Sequence, residues 1–214
     1  MGISVTKAAF VEMLKAAQMK IKENFDYLNQ LDSATGDGDH GTAAVASLDA
    51  AVRKGEEGLA AGKPLAEILS DIGWSVMTET SGTTSSLIGS LFLGMGEGAA
   101  DEMDAAKLAA MFQAGLANVQ TMTSAKPGDK TLMDAMIPGI EAMGAKLASE
   151  PGASCADLLE AAAQAAQAGA ASTESLCAKF GRAKNLGERS AGHIDAGATS
   201  VSLLLRAFAQ ACPK

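Results

Sequence analysis

Apolar residues recur at steps of three and four along most of the chain, and this periodicity constrains the fold more than any other feature. The first segment shows one apolar stripe, formed by Phe10, Leu14, Ala17, Ile21, Phe25, Leu28 and Leu31. Such spacing places side chains on one face of an α-helix. No segment keeps the two-residue alternation of a half-buried strand. The sequence therefore predicts an all-α protein.

Eight helices of similar length are predicted, with loops of modest size between them. The first ends near Leu31, and the next seven cover about residues 42–54, 64–76, 84–94, 104–119, 131–147, 155–180 and 198–211. Asp104 is expected to cap the fifth. Consecutive helices joined in this way favour an antiparallel up-and-down bundle or barrel. No Gly/Ser-rich or Pro-rich linker interrupts the 214 residues, so one domain spanning residues 1–214 is expected.

Four loops have unusual compositions, and they alternate along the chain. They are residues 32–41, 78–86, 123–130 and 181–197. Alternate loops of an up-and-down bundle lie at the same end. The topology therefore predicts a binding site at one rim of the helices.

The first of these loops is rich in aspartate and glycine. Asp32, Asp37 and Asp39 lie within eight residues. Two carboxylates about 4 Å apart repel by roughly 4 kcal/mol at an effective dielectric of about 20, so a bound cation would stabilise the cluster. Carboxylate oxygens suit Mg²⁺ or Ca²⁺, but the spacing excludes an EF-hand, since Gly41 and Leu48 fall where ligands are required. The alternative is a solvated turn.

The other loops offer groups that bind phosphate. A predicted helix N-terminus follows the acidic loop, and free N–H groups there favour anions. Hydroxyl residues precede the fourth helix, where N-capping is the alternative function; they are Thr80, Ser81, Thr83, Thr84, Ser85 and Ser86. The 126–131 segment lacks the order of a Walker A motif. Arg182, Lys184 and Arg189 are basic, although surface charge alone would also explain them.

Charge and cysteine content exclude several classes of function. The net charge of −8 disfavours a nucleic-acid partner. Cys155, Cys177 and Cys212 form no CxxC pair, which favours a reducing, cytoplasmic location over a zinc site or a disulfide framework. No apolar run reaches membrane-spanning length, so no membrane association is expected.

Three motifs, in this order, resemble the L subunit of dihydroxyacetone kinases over essentially the whole chain. They are Leu31-Asp32-x-x-x-Gly36-Asp37-Gly38-Asp39-His40-Gly41, Lys126-Pro127-Gly128-Asp129-Lys130-Thr131, and Gly181-Arg182-Ala183 followed by Leu186-Gly187-Glu188-Arg189-Ser190-x-Gly192-His193-x-Asp195-x-Gly197-Ala198-Thr199-Ser200. Two positions depart from the family pattern. Thr84-Ser85 stands in place of a Ser-Gly pair, and Ala43 replaces a common Asn.

The resemblance implies an eight-helix antiparallel barrel with ADP or ATP at one end. Asp32, Asp37 and Asp39 would hold two Mg²⁺ ions. The implied nucleotide contacts are His40, Gly41, Thr42, Ala43, Thr83, Thr84, Thr123, Leu132, Arg182, Asp195, Ala196 and Gly197. The resemblance assigns no catalytic residue within this chain.

The resemblance also implies that the chain is half of an enzyme. A separate K subunit would hold the ketose covalently, and this chain would donate the phosphoryl group to it. The donor is either free ATP or a bound ADP that a phosphotransferase-system protein recharges, and a homodimer is a further candidate assembly. Alternatives are a nucleotide-loaded regulatory module, a metal-stabilised scaffold, a fatty-acid kinase domain, and an L subunit for another ketose or sugar.

Overall fold

The computed structural model describes residues 4–80 and 82–214, and helices dominate them. The α-helices are α1 (Lys7–Glu23), α2 (Phe25–Thr35), α3 (His40–Ala60), α4 (Leu65–Glu79), α5 (Thr83–Gly98), α6 (Ala105–Met122), α7 (Met133–Ser149), α8 (Cys155–Ser172) and α9 (Ala196–Ala211). Two short strands are β1 (Val5–Thr6) and β2 (Glu102–Met103). The predicted all-α class is confirmed.

Eight of the helices form a closed ring. From α3 to α9 each helix packs against the next one in sequence, and α1 lies between α3 and α9 and closes the barrel. The helix α2 continues from α1 and packs against α3 and α9. Among the described residues, no helix combines the length and the apolar content that a bilayer crossing requires.

The predicted first helix is wrong in one respect, because it breaks at Asn24. The backbone there leaves the helical region (φ −107°, ψ 16°), and Asn24 Nδ2 donates to Lys20 O at 2.8 Å. Short amide side chains compete with helical hydrogen bonds in this way. The apolar stripe continues across the break, so periodicity did not reveal it. The helix α2 also continues to Thr35, past the predicted end near Leu31, so Asp32 lies in its last turn instead of in a loop.

Several other helix boundaries differ from the prediction. The helix α3 begins at His40, two residues early, and runs on to Ala60. The helix α8 ends at Ser172, well before the predicted residue 180, because a 3-10 turn follows it over Thr173–Ser175. The helix α9 begins at Ala196, since Asp195 caps it by accepting from Ala198 N at 2.7 Å.

The end of the barrel opposite the four loops is closed. The strands β1 and β2 pair antiparallel, with Val5 opposite Met103, which corrects the prediction that the chain has no strand. Four helices start at this end, and side-chain oxygens of Thr6, Asp101, Asp104 and Ser154 accept from their first-turn N–H groups. The cap predicted at Asp104 is thus present. Three aromatic rings contribute to the core: Phe208 packs at a tilt against Phe10 and edge-to-face against Phe112.

Candidate functional site

The four loops meet at one rim of the barrel. His40 at the start of α3 contacts α9 through a 3.0 Å hydrogen bond between its Nε2 and Ser200 Oγ. Ser47 Oγ in α3 lies 3.1 Å from Ser85 Oγ in α5. Two 3-10 turns within Arg182–Ser190, separated by a kink at Gly187, belong to the loop that brings Arg182 against Asp37. These contacts join segments that are distant in sequence, as the alternation of loops predicted.

The three aspartates form a compact cluster at this rim. Asp32, Asp37 and Asp39 each offer one carboxylate oxygen, and these oxygens lie within 4.8 Å of one another. Asp32 Oδ2 also accepts from Gly38 N at 2.8 Å and from Asp39 N at 3.0 Å, which folds the loop back onto the end of α2. Gly38 has φ +80°, a conformation that L side chains rarely adopt. An all-oxygen donor set of this kind fits Mg²⁺.

Arg182 is the cation that the structure places beside this cluster. Its Nη1 pairs with Asp37 Oδ1 and lies 4.0 Å from Asp39 Oδ1. The side chain is 60% exposed, so the guanidinium can also reach a ligand at the rim. Lys184 and Arg189 are exposed, and surface charge stays a sufficient interpretation of both.

The start of α3 packs closely against α2. Gly41 N donates to Asn29 Oδ1 at 2.7 Å. A Cβ on Gly41 would lie 2.4 Å from Phe25 O, so only glycine permits this approach. Thr42 and Ala43 follow in the first turn, and Ala43 N donates to Asp39 O at 3.1 Å. Burial lowers the pKa of His40, and the nearby Asp32 opposes that shift.

The start of α5 is the second helix N-terminus at the rim. Its N-cap, Gly82 (φ +103°), has no side chain with which to cap the helix. The alternative interpretation of the hydroxyl residues was N-capping, but the N-cap position of α5 is held by a glycine. Ser86 Oγ donates to Gly82 O at 3.2 Å. Thr83 is exposed, and Thr84 lines a cavity that reaches α3 and α9. Ser81 lies outside the described residues.

The last predicted contacts come from α6, α7 and α9. Thr123 ends α6, and its Oγ1 accepts from Ala125 N at 3.1 Å. Leu132 is buried next to Gly197, where an added Cβ would lie 3.2 Å from Leu132 Cβ. Ala196 and Gly197 form the buried first turn of α9. Burial raises the pKa of Asp195 to about 6, and Asp134 adds to the shift.

Sequence reasoning missed four residues that organise the rim. Asn29 holds Gly41, Ser200 holds His40, and Thr173 Oγ1 accepts from Asp195 N at 2.9 Å. Lys130 is buried and donates to Thr173 O and His193 O. Lys130 and Ser200 lie within the motifs shared with the dihydroxyacetone kinase L subunits, so the resemblance could have identified them, whereas residue spacing alone could not. His193 itself is exposed and contributes its carbonyl.

The arrangement defines a helical barrel with a carboxylate cluster and two helix N-termini at one rim, groups whose chemistry suits a cation and phosphate respectively. Residues 34–210 match the DAK2 domain. The chain belongs to this family, and its similarity to the L subunit of dihydroxyacetone kinases is confirmed by the relatives that follow.

Two curated relatives match over nearly their full length. The ADP-binding subunit of PEP-dependent dihydroxyacetone kinase 2 from Listeria innocua serovar 6a is 34% identical over 200 residues, which are 92% of this chain and 91% of that protein. The ADP-binding subunit of the PEP-dependent dihydroxyacetone kinase from Escherichia coli K12 is 32% identical over 211 residues, 98% of this chain and 99% of that protein.

A solved structure shares the fold. The dihydroxyacetone kinase of C. freundii in complex with AMP-PNP and Mg²⁺ aligns with a TM-score of 0.66 and 25% identity. The alignment covers 98% of this chain but only 35% of that one, so this chain corresponds to about a third of the solved protein.

Proposed function

We propose that this chain is the nucleotide- and magnesium-binding subunit of a kinase of the dihydroxyacetone type. The observation that carries the proposal is the aspartate cluster, whose oxygens lie within 4.8 Å of one another beside the N-terminus of α3 and against Arg182. Carboxylates hold Mg²⁺, whereas helix N–H groups and a guanidinium hold phosphate oxygens. The rim therefore presents both halves of a site for a magnesium nucleotide.

The proposal assigns a role to each of the predicted site residues. Asp32, Asp37 and Asp39 hold two Mg²⁺ ions, which when bound neutralise charge on the transferring phosphoryl group. His40 and Thr42 in the first turn of α3, and Thr83 and Thr84 at the uncapped start of α5, donate N–H groups to phosphate oxygens. Gly41 and Ala43 line the nucleotide instead, because their N–H groups already donate to Asn29 Oδ1 and Asp39 O. The remaining contacts to the nucleotide are Thr123, Leu132, Asp195, Ala196 and Gly197.

Arg182 has a role in transfer as well as in binding. A guanidinium donates two parallel hydrogen bonds to phosphate oxygens and stabilises charge that develops between donor and acceptor. Its position opposite Asp37 places it at the edge of the metal cluster, where that charge would develop. The acceptor is a small ketose held on a separate K subunit, as the names of the relatives, ADP-binding subunits of dihydroxyacetone kinases, imply.

The proposed phosphoryl donor is ATP, which a phosphotransferase-system protein regenerates by phosphorylating a permanently bound ADP. The names of the two full-length relatives, ADP-binding subunits of PEP-dependent kinases, support this choice over free ATP. Denaturing the purified protein and analysing the released nucleotide by chromatography tests it. Stoichiometric ADP is expected, and a nucleotide-free protein that uses ATP directly would contradict it.

The proposal extends to organisation and location. One continuous apolar core runs through all the barrel helices, which supports a single domain. The three cysteines are free thiols in the structure, which supports a cytoplasmic location. A homodimer stays a candidate, and light scattering on the purified chain would test it.

Replacing a cluster aspartate tests the central proposal. We expect Asp37→Asn and Asp39→Asn each to raise the Kd for ADP with Mg²⁺ by about tenfold or more, about 1.4 kcal/mol, because fewer carboxylates hold the metal. Titration calorimetry on nucleotide-free protein measures the Kd, and circular dichroism should show unchanged helix content.

The matched control is Asp49→Asn. Asp49 pairs with Lys22 at 2.7 Å on the outer face of the barrel, away from the rim. This variant should bind as the wild type does. Unchanged affinity in both cluster variants would refute the metal assignment, whereas binding without transfer to a ketose-loaded K subunit would leave a purely regulatory module.

A further inference from the structure

Lys130 is a buried lysine that the nucleotide site itself does not use. Its exposed fraction is 2%, and it has φ +59°, the single positive value at a non-glycine residue in the described part of the chain. Placing a β-carbon in this conformation costs free energy, and so does burying an ammonium group. Because both costs fall on one residue, we expect the contacts of Lys130 to offset them and to matter for the structure of the site.

The ammonium of Lys130 bonds to backbone carbonyls. Its Nζ donates to Thr173 O at 2.5 Å and to His193 O. These two carbonyls lie at either end of the 173–195 segment, which connects α8 to α9. The lysine therefore clamps both ends of the segment that carries Arg182.

Other contacts attach the same segment to the 126–131 turn. Lys179 N donates to Asp129 O at 3.1 Å, and its Nζ donates to Asp129 Oδ1 at 2.7 Å. The turn is itself rigid, because Asp134 accepts from Gly128 N at 2.6 Å and from Thr131 N at 2.7 Å. The motif Lys126–Thr131, which is not a Walker A site, thus acts as a base for the segment.

Thr173 connects Lys130 to the proposed nucleotide site through hydrogen bonds. It is fully buried, and its Oγ1 accepts from Asp195 N at 2.9 Å while its carbonyl accepts from Lys130. Asp195 in turn caps α9. A continuous set of hydrogen bonds therefore runs from Lys130 to the first turn of α9.

We propose that Lys130 is a positioning residue, which clamps Thr173 O and His193 O so that the 173–195 segment holds Arg182 and Asp195 at the rim. The inference rests on the proposed nucleotide site, because the segment matters for binding only if that site is correct. Lys130 itself touches neither the metal cluster nor the positions assigned to phosphate.

A double-substitution cycle tests the inference. Lys130→Met removes the donors but keeps the volume of the stem, and Arg182→Gln removes the guanidinium. We expect Lys130→Met to raise the Kd for ADP with Mg²⁺ about tenfold. Arg182→Gln should weaken binding clearly in the wild-type chain and much less in the Lys130→Met chain, since Arg182 is then no longer held in place. Equal effects of Arg182→Gln in both chains would overturn the inference.

The matched control is Leu159→Ala, which destabilises the core within α8 without touching the segment. It should preserve the full effect of Arg182→Gln, so a loss of coupling there would show that general destabilisation explains the result. If Lys130→Met does not fold, Lys130→Gln replaces it with the same expectations, because the glutamine side chain is one atom shorter and uncharged and does not bond both carbonyls as the ammonium does.

Hydrogen exchange of the ligand-free protein separates this inference from the proposed function. Faster exchange over residues 173–195 in Lys130→Met, with unchanged exchange in α4 and α5, supports the clamp. Unchanged exchange over that segment overturns it. A wild-type chain that does not bind magnesium ADP would refute the proposed function, and the exchange result would still decide the role of Lys130.

Discussion

Asp195 combines a structural and an electrostatic role in one side chain. It caps α9 through Ala198 N at 2.7 Å, which favours the ionised carboxylate. Burial is the larger effect and raises the pKa to about 6. At neutral pH Asp195 is therefore ionised, at a cost in folding free energy that burial imposes.

The raised pKa predicts how stability changes with pH. The unfolded chain ionises Asp195 near pH 3.9, whereas the folded chain holds the proton up to about pH 6. Between these values the folded state binds more protons, so Asp195 lowers the stability as pH rises and adds no further change above about pH 6. We expect Asp195→Asn, which keeps the cap, to remove the part of the pH dependence of stability that is due to Asp195.

Thermal melts of the ligand-free wild type and Asp195→Asn at a series of pH values measure the effect. The variant should gain stability relative to the wild type from about pH 4 to about pH 6, and the difference should then stay constant. A constant difference over the whole range would show that the carboxyl does not titrate in this window.

At the scale of elements, the contact between α2 and α3 determines where the acidic loop lies. Asn24 ends α1, which lets α2 turn and bring Asn29 to Gly41 N at 2.7 Å. Asp32 at the end of α2 then reaches the backbone of Gly38 and Asp39. The cluster is thus held by two helices, and its geometry depends on how closely they approach.

Gly41→Ala tests that approach. The added Cβ would lie 2.4 Å from Phe25 O, so the helices must separate. We expect a loss of roughly 1–3 kcal/mol of stability, as for overpacked cores, together with weaker binding of magnesium ADP. Urea unfolding and titration calorimetry measure the two effects.

The same substitution elsewhere serves as its control. Gly144 lies on the exposed face of α7, and an added Cβ would meet nothing within 4 Å. Gly144→Ala should stabilise the chain by about 0.5–1 kcal/mol, because alanine loses less backbone entropy in a helix. Similar results for both variants would mean that the α2–α3 contact is looser than the structure shows.

On the scale of the whole molecule, the barrel has two unlike ends. The closed end carries the strand pair and four side-chain caps, whereas the rim gathers the aspartates and the uncapped start of α5. Repulsion among the aspartates is a cost that a bound cation relieves. Ligand binding at the rim should therefore stabilise the entire fold.

Melting with and without magnesium ADP measures this linkage. Ligand at about 100 times its Kd adds about 2.7 kcal/mol, which for a chain of this size raises the midpoint by about 5–10 °C. Mg²⁺ alone and ADP alone should each give a smaller shift. Asp37→Asn, whose Kd is expected to rise about tenfold or more, should gain no more than about 1.4 kcal/mol, which is about half the wild-type shift. Identical midpoints for the wild type in all conditions would count against the site.

The sequence by itself determined the class of fold and predicted the end of the barrel at which the candidate site lies. Three-to-four residue periodicity is a local property, so it predicted the helices, and the alternation of loops then predicted one rim. The acidic loop and Arg182 were recognisable for the same reason, because their composition is unusual within a short segment.

Only the tertiary structure decided how these parts meet. The break at Asn24 leaves the apolar stripe intact, and the pairing of Val5 with Met103 joins residues far apart in the chain. No local pattern distinguishes Lys130 from a surface lysine. Its buried ammonium group bonds to the carbonyls of Thr173 and His193, which are 43 and 63 residues away in the chain. Contacts over such separations depend on the packing of the whole barrel, and no local pattern encodes them.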